Sequence, residues 1–152
     1  AQRLRVAMRE SDDVVRWGGE EFLAVAHDTD RARADELAER IRAGVAEHPF
    51  RLGDGQALTI TCSVGHACWP FLPQHAQALD WLGVVDMADL GLLAAKRLGR
   101  NCWVGVHGTG RTPPAGLPTL ARHQPQRALA RGELRVSSSR PAAAVAEALA
   151  PD

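Results

Sequence analysis

Two consecutive glycines, Gly18 and Gly19, stand between two short apolar runs, Val14-Val15 and Phe22-Leu23-Ala24-Val25-Ala26. No other feature narrows the possible folds as far. Glycine reaches positive φ without a Cβ clash, and a two-residue turn between strands demands positive φ. The spacing predicts a tight β-hairpin with strands over residues 13–17 and 21–26. Two carboxylates, Glu20 and Glu21, follow the turn directly. Bare glycine backbone lets a ligand come close, and a hard cation such as Mg²⁺ prefers carboxylate oxygens and bridges to phosphates. The pattern therefore fits a seat for a metal–nucleotide complex, and equally a hairpin with a solvated acidic tip.

The rest of the chain alternates strands with helices. Residues 1–10 suit the end of a helix, with Leu4, Val6 and Ala7 before Ser11. Asp28-Thr29-Asp30 offers side chains that cap a helix start. Ala34, Leu37, Ala38, Ile41 and Val45 then recur at helical spacing, and His48-Pro49 ends the run. Gly53-Asp54-Gly55 is a turn. Leu58, Ile60, Cys62 and Val64 alternate with Thr59, Thr61 and Ser63, which predicts a half-buried strand. A loop over residues 70–74 precedes a helix over 78–98 with Gly99 just past its end, and a short strand covers 102–106. Helices, strands and a hairpin in this order predict an α+β fold with a mostly antiparallel sheet.

Composition excludes some functions. The net charge is zero, divided as 12 basic against 15 acidic side chains over residues 1–107 and 6 against 3 over 108–152. Neither half has the concentrated basic face that nucleic-acid binding needs. Lys96 is the one lysine among 18 basic residues, which singles it out as a compact phosphate-binding charge. Cys62, Cys68 and Cys102 are odd in number and lack zinc spacing, so they read as small buried hydrophobes in a reducing compartment. No apolar run reaches the roughly 20 residues of a membrane helix. From Gly108 onward prolines, serines and scattered arginines predict a disordered tail over 108–152, with a marginal Ala-rich helix at 142–150.

The segment Arg16-Trp17-Gly18-Gly19-Glu20-Glu21-Phe22 closely resembles the signature of the GGDEF domains, the diguanylate cyclase family, in its GGEEF form. Other segments follow in the family's order. Arg9-Glu10-Ser11-Asp12 matches its RxxD inhibitory motif. Thr59-Ile60-Thr61-Cys62-Ser63-Val64-Gly65 resembles its T-x-S-x-G strand. Ala88-Asp89, then Ala95-Lys96-Arg97-Leu98-Gly99-Arg100-Asn101, resembles its closing segment. The resemblance covers residues 1 to about 107, the expected domain, and several ordered motifs are far more specific than one. It implies a ferredoxin-like, nucleotidyl cyclase-like core. Nothing in the sequence matches the family's first strand, with its metal-binding Asp, or its guanine-recognising residues.

By this resemblance the protein condenses two GTP into cyclic di-GMP and releases pyrophosphate, with two domains meeting as a homodimer. Glu20 and Glu21 are the implied catalytic acids, with Glu20 the ligand of Mg²⁺ or Mn²⁺ and Glu21 assisting either the metal or the attacking 3′-hydroxyl. Gly18, Gly19, Lys96 and Arg100 are the implied GTP-binding residues, and Arg9, Asp12 and Arg40 the implied inhibitory site for cyclic di-GMP. Each has a plainer reading. Lys96 and Arg100 suit a helix C-terminus on electrostatic grounds alone, Arg9 and Asp12 could form an exposed ion pair, and Arg40 could pair with Glu36. The competing functional class is a non-catalytic cyclic di-GMP receptor using Arg9, Asp12 and Arg40. Without the family's first strand, the chain alone is expected to be inactive and poorly soluble or oligomeric. The implied location is cytoplasmic, with membrane attachment only through upstream domains.

Overall fold

The glycine turn closes as its spacing predicts, displaced by one residue. Strand β1 (Asp13–Gly18) runs antiparallel to β2 (Glu21–Val25), and Gly18 lies opposite Glu21. The turn residues are therefore Gly19 and Glu20, and Gly19 takes the positive φ of +51°. The register shifts between Arg16 and Gly18, leaving Trp17 as the extra residue of a bulge. A bulge sharpens the local twist and re-aims the strand end.

The computed structural model describes residues 1–117 and 124–149. The chain divides into two compact units, Ala1–Cys62 and Ser63–Asp152. In the first unit a short helix α1 (Gln2–Ala7) precedes the hairpin. Asp30 caps a 3₁₀ turn (Arg31–Arg33), its side chain accepting from the Ala32 amide, and α2 (Ala34–Ala46) follows. Of the apolar face read from the sequence, Ala38, Ile41 and Val45 are buried. Arg3 of α1 closes the far end of α2. Its Nη1 donates to the carbonyls of Val45 and His48, its Nη2 to that of Pro49 at 2.8 Å, and the guanidinium lies 3.5 Å from the centre of the Phe50 ring. The Val45 carbonyl is one that the helix end leaves without an intrahelical partner, and His48 and Pro49 lie just past that end. A small hairpin, β3 (Phe50–Arg51) with β4 (Ala57–Leu58), turns through Gly55 at φ +84°.

The second unit is built on a three-stranded sheet. Strand β5 (Val64–His66) pairs parallel with β6 (Trp103–Gly108), and β6 pairs antiparallel with β7 (Leu134–Ser138). Helix α3 (Trp81–Arg97) makes the crossover that a parallel pair requires. Its start is capped by Asp80, whose carboxylate accepts from the Gly83 amide at 2.8 Å. Helices α4 (Pro125–Ala130) and α5 (Ala142–Ala148) flank β7 in sequence. Phe71, Leu72, Met87, Val106, Leu117 and Leu134 form one core cluster, and Ala94, Ala95, Cys102, Val104, Val145 and Leu149 form another.

The α+β class holds, with three antiparallel strand pairs and one parallel pair among the described residues. Two expectations do not. The strand read over residues 58–64 is split, since β4 ends at Leu58, β5 begins at Val64, and Leu58 and Ile60 are exposed. Alternation describes which way side chains point, but a strand also needs a neighbour for its amides, and β6 supplies one only from Val64 onward. The second departure is residues 108–152, whose composition predicts disorder. Among the described residues this stretch contributes β7, α4 and α5, and buries Leu117, Ala128, Leu134, Val145 and Leu149. Average polarity concealed a few apolar residues spaced to meet one open strand edge and one helix. The helix expected at 142–150 is α5, and residues 118–123 and 150–152 lie outside the described residues.

The backbone of α3 rests directly on the sheet at two glycines. A Cβ on Gly65 would lie 2.0 Å from the Ala88 carbonyl oxygen and 2.2 Å from the Leu92 nitrogen, and one on Gly91 would lie 2.6 Å from the Val104 oxygen. Backbone cannot step aside as a flexible side chain can. Gly65→Ala is therefore expected to cost at least about 3 kcal/mol, the upper end for overpacking. Urea unfolding measures it, and a parent-like midpoint would mean that α3 does not seat against β5.

Candidate functional site

The hairpin tip presents its acids unequally. Glu20 occupies the turn and is exposed, while Glu21 begins β2 and is half-buried. The turn is braced by Arg16, whose Nε and Nη2 donate to the Gly19 carbonyl at 3.0 and 2.8 Å. Val14, Arg16 and Phe22 share one face of the hairpin through their register. Beside that face runs an open groove of about 770 Å³, lined also by Arg5, Gly19 and Glu20. A groove of that size suits a small ligand. Two guanidinium groups along it favour an anionic one. Sequence reasoning gave no role to Arg5 or Arg16. The available signal was Arg16 itself, three residues before the turn glycine and within bidentate reach of its carbonyl.

No group of three or more His, Cys, Asp or Glu that could hold a metal occurs among the described residues. Two adjacent carboxylates do not form an all-protein cage. They do fit the way Mg²⁺ is commonly held, by one or two carboxylates with phosphate oxygens and waters completing the shell.

The RxxD segment sits at the foot of the same hairpin. Asp12 is buried, and its carboxylate serves the backbone. Oδ2 accepts from the Arg9 amide at 2.8 Å and Oδ1 from the His27 amide at 3.0 Å. The first of these bonds, above all, holds the Asp12 carboxyl below its ordinary pKa. Asp12 thus ties the strand entering the hairpin to the residue leaving it. Arg9 is exposed, and it meets Asp12 through its backbone amide, with its charge adding a smaller attraction. Arg40 donates from Nε to the Ala7 carbonyl at 2.9 Å, at the end of α1, while Glu36 lies 4.0 Å from Arg33. Nearby, Asp13 accepts from His27 Nε2 at 2.9 Å, and that bond raises the imidazole pKa.

Lys96 and Arg100 belong to the second unit. Lys96 lies half-buried in the last turn of α3. Helix α3 ends at Arg97 with Leu98 as its cap, Gly99 takes φ +90°, and the Arg100 amide donates back to the Ala95 carbonyl at 3.1 Å. This is a Schellman ending, as Gly99 foretold. Arg100 and Asn101 stay left-handed, at φ +63° and +47°. The chain thus leaves the helix before Arg100, whose exposed side chain is carried by the turn and not by the helical face of Lys96.

A family model described as diguanylate cyclase, GGDEF domain, matches residues 1–102. The chain is 37% identical over 101 residues to diguanylate cyclase DgcP of Pseudomonas aeruginosa, covering 66% of this chain and 14% of that protein. It is 33% identical over 101 residues to diguanylate cyclase A of Treponema denticola, covering 66% and 26%. It is 38% identical over 106 residues to the response regulator PleD of Caulobacter vibrioides, covering 69% and 22%. Among solved structures it resembles the GGDEF domain of PA1120 (TpbB or YfiN) from Pseudomonas aeruginosa, with a TM-score of 0.53 and 30% identity over 66% of this chain and 55% of that one. The chain therefore spans between 14% and 26% of these curated relatives' length.

The Asp12 bonds predict a pH dependence with a definite sign. A carboxyl whose folded pKa is depressed adds stability above its unfolded value, about 3.9, and loses it as pH falls through the folded value. Asn in its place would turn an amide N–H toward one of the two donors. Asp12→Asn should thus lower the urea midpoint at neutral pH, with the gap to the parent closing well below about pH 3.9. A gap that persists unchanged in acid would show that the carboxylate's charge contributes nothing.

Proposed function

The chain belongs to the GGDEF family of diguanylate cyclase domains, and on that premise we propose that it supplies the catalytic hairpin of an enzyme making cyclic di-GMP from two GTP. In each half-reaction the 3′-hydroxyl oxygen of one GTP bonds to the α-phosphorus of the other. The bond from that phosphorus to the bridging oxygen breaks, and pyrophosphate leaves with the electron pair. Two such steps close the ring, so two domains with one GTP each must meet as a homodimer.

The observation that carries this reading is an intact Gly18-Gly19-Glu20-Glu21 sequence on a braced turn beside a groove lined by Arg5 and Arg16. Gly18 and Gly19 let phosphate approach the backbone, since a Cβ at either position would meet open space and no protein atom. In this reading Glu20 would hold Mg²⁺ or Mn²⁺, and Glu21 would take the 3′-hydroxyl proton. Bound there, the cation would offset charge on the phosphoryl oxygens. Lys96 and Arg100 would bind the triphosphate, Lys96 as a point charge and Arg100 as a fork.

Arg9, Asp12 and Arg40 would form a product-binding site that inhibits the enzyme. Asp12 is buried and bonded to backbone amides, and Arg40, though exposed, commits its Nε to the Ala7 carbonyl, so the exposed Arg9 would make the principal contact with the ligand. No described helix is long and apolar enough to cross a membrane. A cytoplasmic setting, where GTP is made, is the location proposed.

Grafting residues 1–102 in place of the matching stretch of the Treponema denticola cyclase tests the assignment in a complete protein. The hybrid should convert GTP to cyclic di-GMP. Glu20→Ala should reduce turnover by at least about 100-fold, the scale of removing one preorganised electrostatic group. Turnover that survives Glu20→Ala would remove this residue from the metal site. The 152-residue chain alone should form no cyclic di-GMP from GTP, and steady turnover by it would overturn that expectation.

Calorimetry with cyclic di-GMP on the same hybrid tests the inhibitory site. Arg9→Ala should weaken binding about tenfold or more, the loss expected for one charge-assisted contact, with uninhibited turnover preserved. Parent-like affinity would reduce the RxxD segment to the loop tie made by Asp12.

A further inference from the structure

Residues 125–149 lie beyond the family match, yet they pack where α3 ends. We propose that α5 holds the Gly99-Arg100-Asn101 turn in its left-handed form, with Val145 and Leu149 as positioning residues for Arg100. The functional half of this proposal rests on the reading of Arg100 as a phosphate ligand.

The turn is in need of such support. Three successive residues take positive φ, and two of them, Arg100 and Asn101, are not glycine. L-residues disfavour that region, and they remain there only when the surroundings over-determine them. Here the turn is fixed at both ends. Before it, Ala94 and Ala95 are fully buried, and the Ala95 carbonyl accepts from the Arg100 amide. After it, Cys102 and Val104 are fully buried, and the Cys102 thiol approaches the same Ala95 carbonyl at 3.3 Å. One carbonyl thus receives groups from both sides of the turn.

All four of these anchors belong to one apolar cluster, completed by Val145 and Leu149 of the α5 segment. Val145 has no exposure and Leu149 has 3%. A polar tie joins the same two elements, since Arg97 Nη1 donates to the Ala148 carbonyl at 3.1 Å. Strand β7 carries α5 to this position by pairing along β6, and the Ser138 hydroxyl donates to the Trp103 carbonyl at 2.9 Å. Without α5, Ala94, Ala95 and Cys102 would lose the side chains that cover them, and the turn could relax toward ordinary φ. Arg100 would then sample many directions, and its charge would reach phosphate in only some of them.

The test uses the full 152-residue chain with Leu149→Ala and, separately, Arg97→Gln. Amide hydrogen exchange is read over residues 98–102, with the β6–β7 ladder as the reference for global unfolding. Leu149→Ala should speed exchange at the turn about tenfold or more while the ladder stays protected, because only a local opening is made easier. Arg97→Gln changes a surface group and keeps the test open should Leu149→Ala melt the unit. It should speed turn exchange by a few-fold, and Arg97→Lys, which retains a donor, should restore the parent rate. Parent-like exchange at the turn in Arg97→Gln, together with parent-like exchange in any folded Leu149→Ala protein, would overturn the proposal.

Calorimetry with inorganic triphosphate in magnesium buffer separates the two readings. Weaker binding in both Leu149→Ala and Arg100→Ala supports positioning of a phosphate ligand. Unchanged binding in Arg100→Ala would sink the phosphate reading of that residue, and turn exchange would still decide what α5 does.

Discussion

Backbone-to-backbone contact between α3 and the sheet, at Gly65 and Gly91, fixes the geometry of the second unit. A Cβ added to Gly91 would lie 3.4 Å from the Gly65 Cα, so helix and strand meet here with no side chain between them. That contact sets the register of α3 along β5 and β6. Asp80 fixes where the helix begins, and Gly99 fixes where it ends. Between those limits the contact decides which side chains go inward: Val84 and Met87 toward one cluster, Ala94 and Ala95 toward the other. The orientation of Lys96 and the start of the Arg100 turn are consequences of a close approach made more than one helical turn away.

Backbone pairing governs the remainder. A strand exists where its amides and carbonyls find partners, and unpaired edges invite other chains. In the first unit, β1–β2 and β3–β4 are two-stranded sheets, and Val15, Trp17, Phe22 and Val25 of the hairpin are exposed. In the second unit β6 is paired on both sides and is buried along almost its whole length. Strand β7 is what covers its outer edge. It also brings in α5, so covering an edge and supporting the Arg100 turn come from one piece of chain.

Charged residues in the first unit do much of their work on the backbone. Arg3 closes the end of α2, Arg40 reaches the end of α1, and Asp12 joins the loop before β1 to the residue after β2. A residue pattern such as RxxD tells which donors and acceptors a segment offers. It does not tell whether they are already engaged. At Asp12 both carboxylate oxygens are engaged, and at Arg40 the Nε is.

Local features were legible in the sequence because neighbours within a few residues determine them. The glycine turn, set one residue later than expected, the Asp30 cap, the apolar face of α2 and the Gly99 helix ending all follow from chain geometry over four or five positions. The ordered GGEEF, RxxD and closing motifs likewise identified the family. What the sequence could not show depends on partners 30 or more residues away. Arg40 meets Ala7 across 33 positions, Arg97 meets Ala148 across 51, and Trp103 meets Ser138 across 35. Composition predicted disorder for the stretch that became β7 and α5, because it averages residues and cannot register an open edge on β6. Alternation predicted a strand through residues 59–63, where no neighbouring amides are available among the described residues. Tertiary structure decided these cases for one physical reason: a hydrogen bond or a buried contact requires its second partner, and the second partner lay elsewhere in the chain.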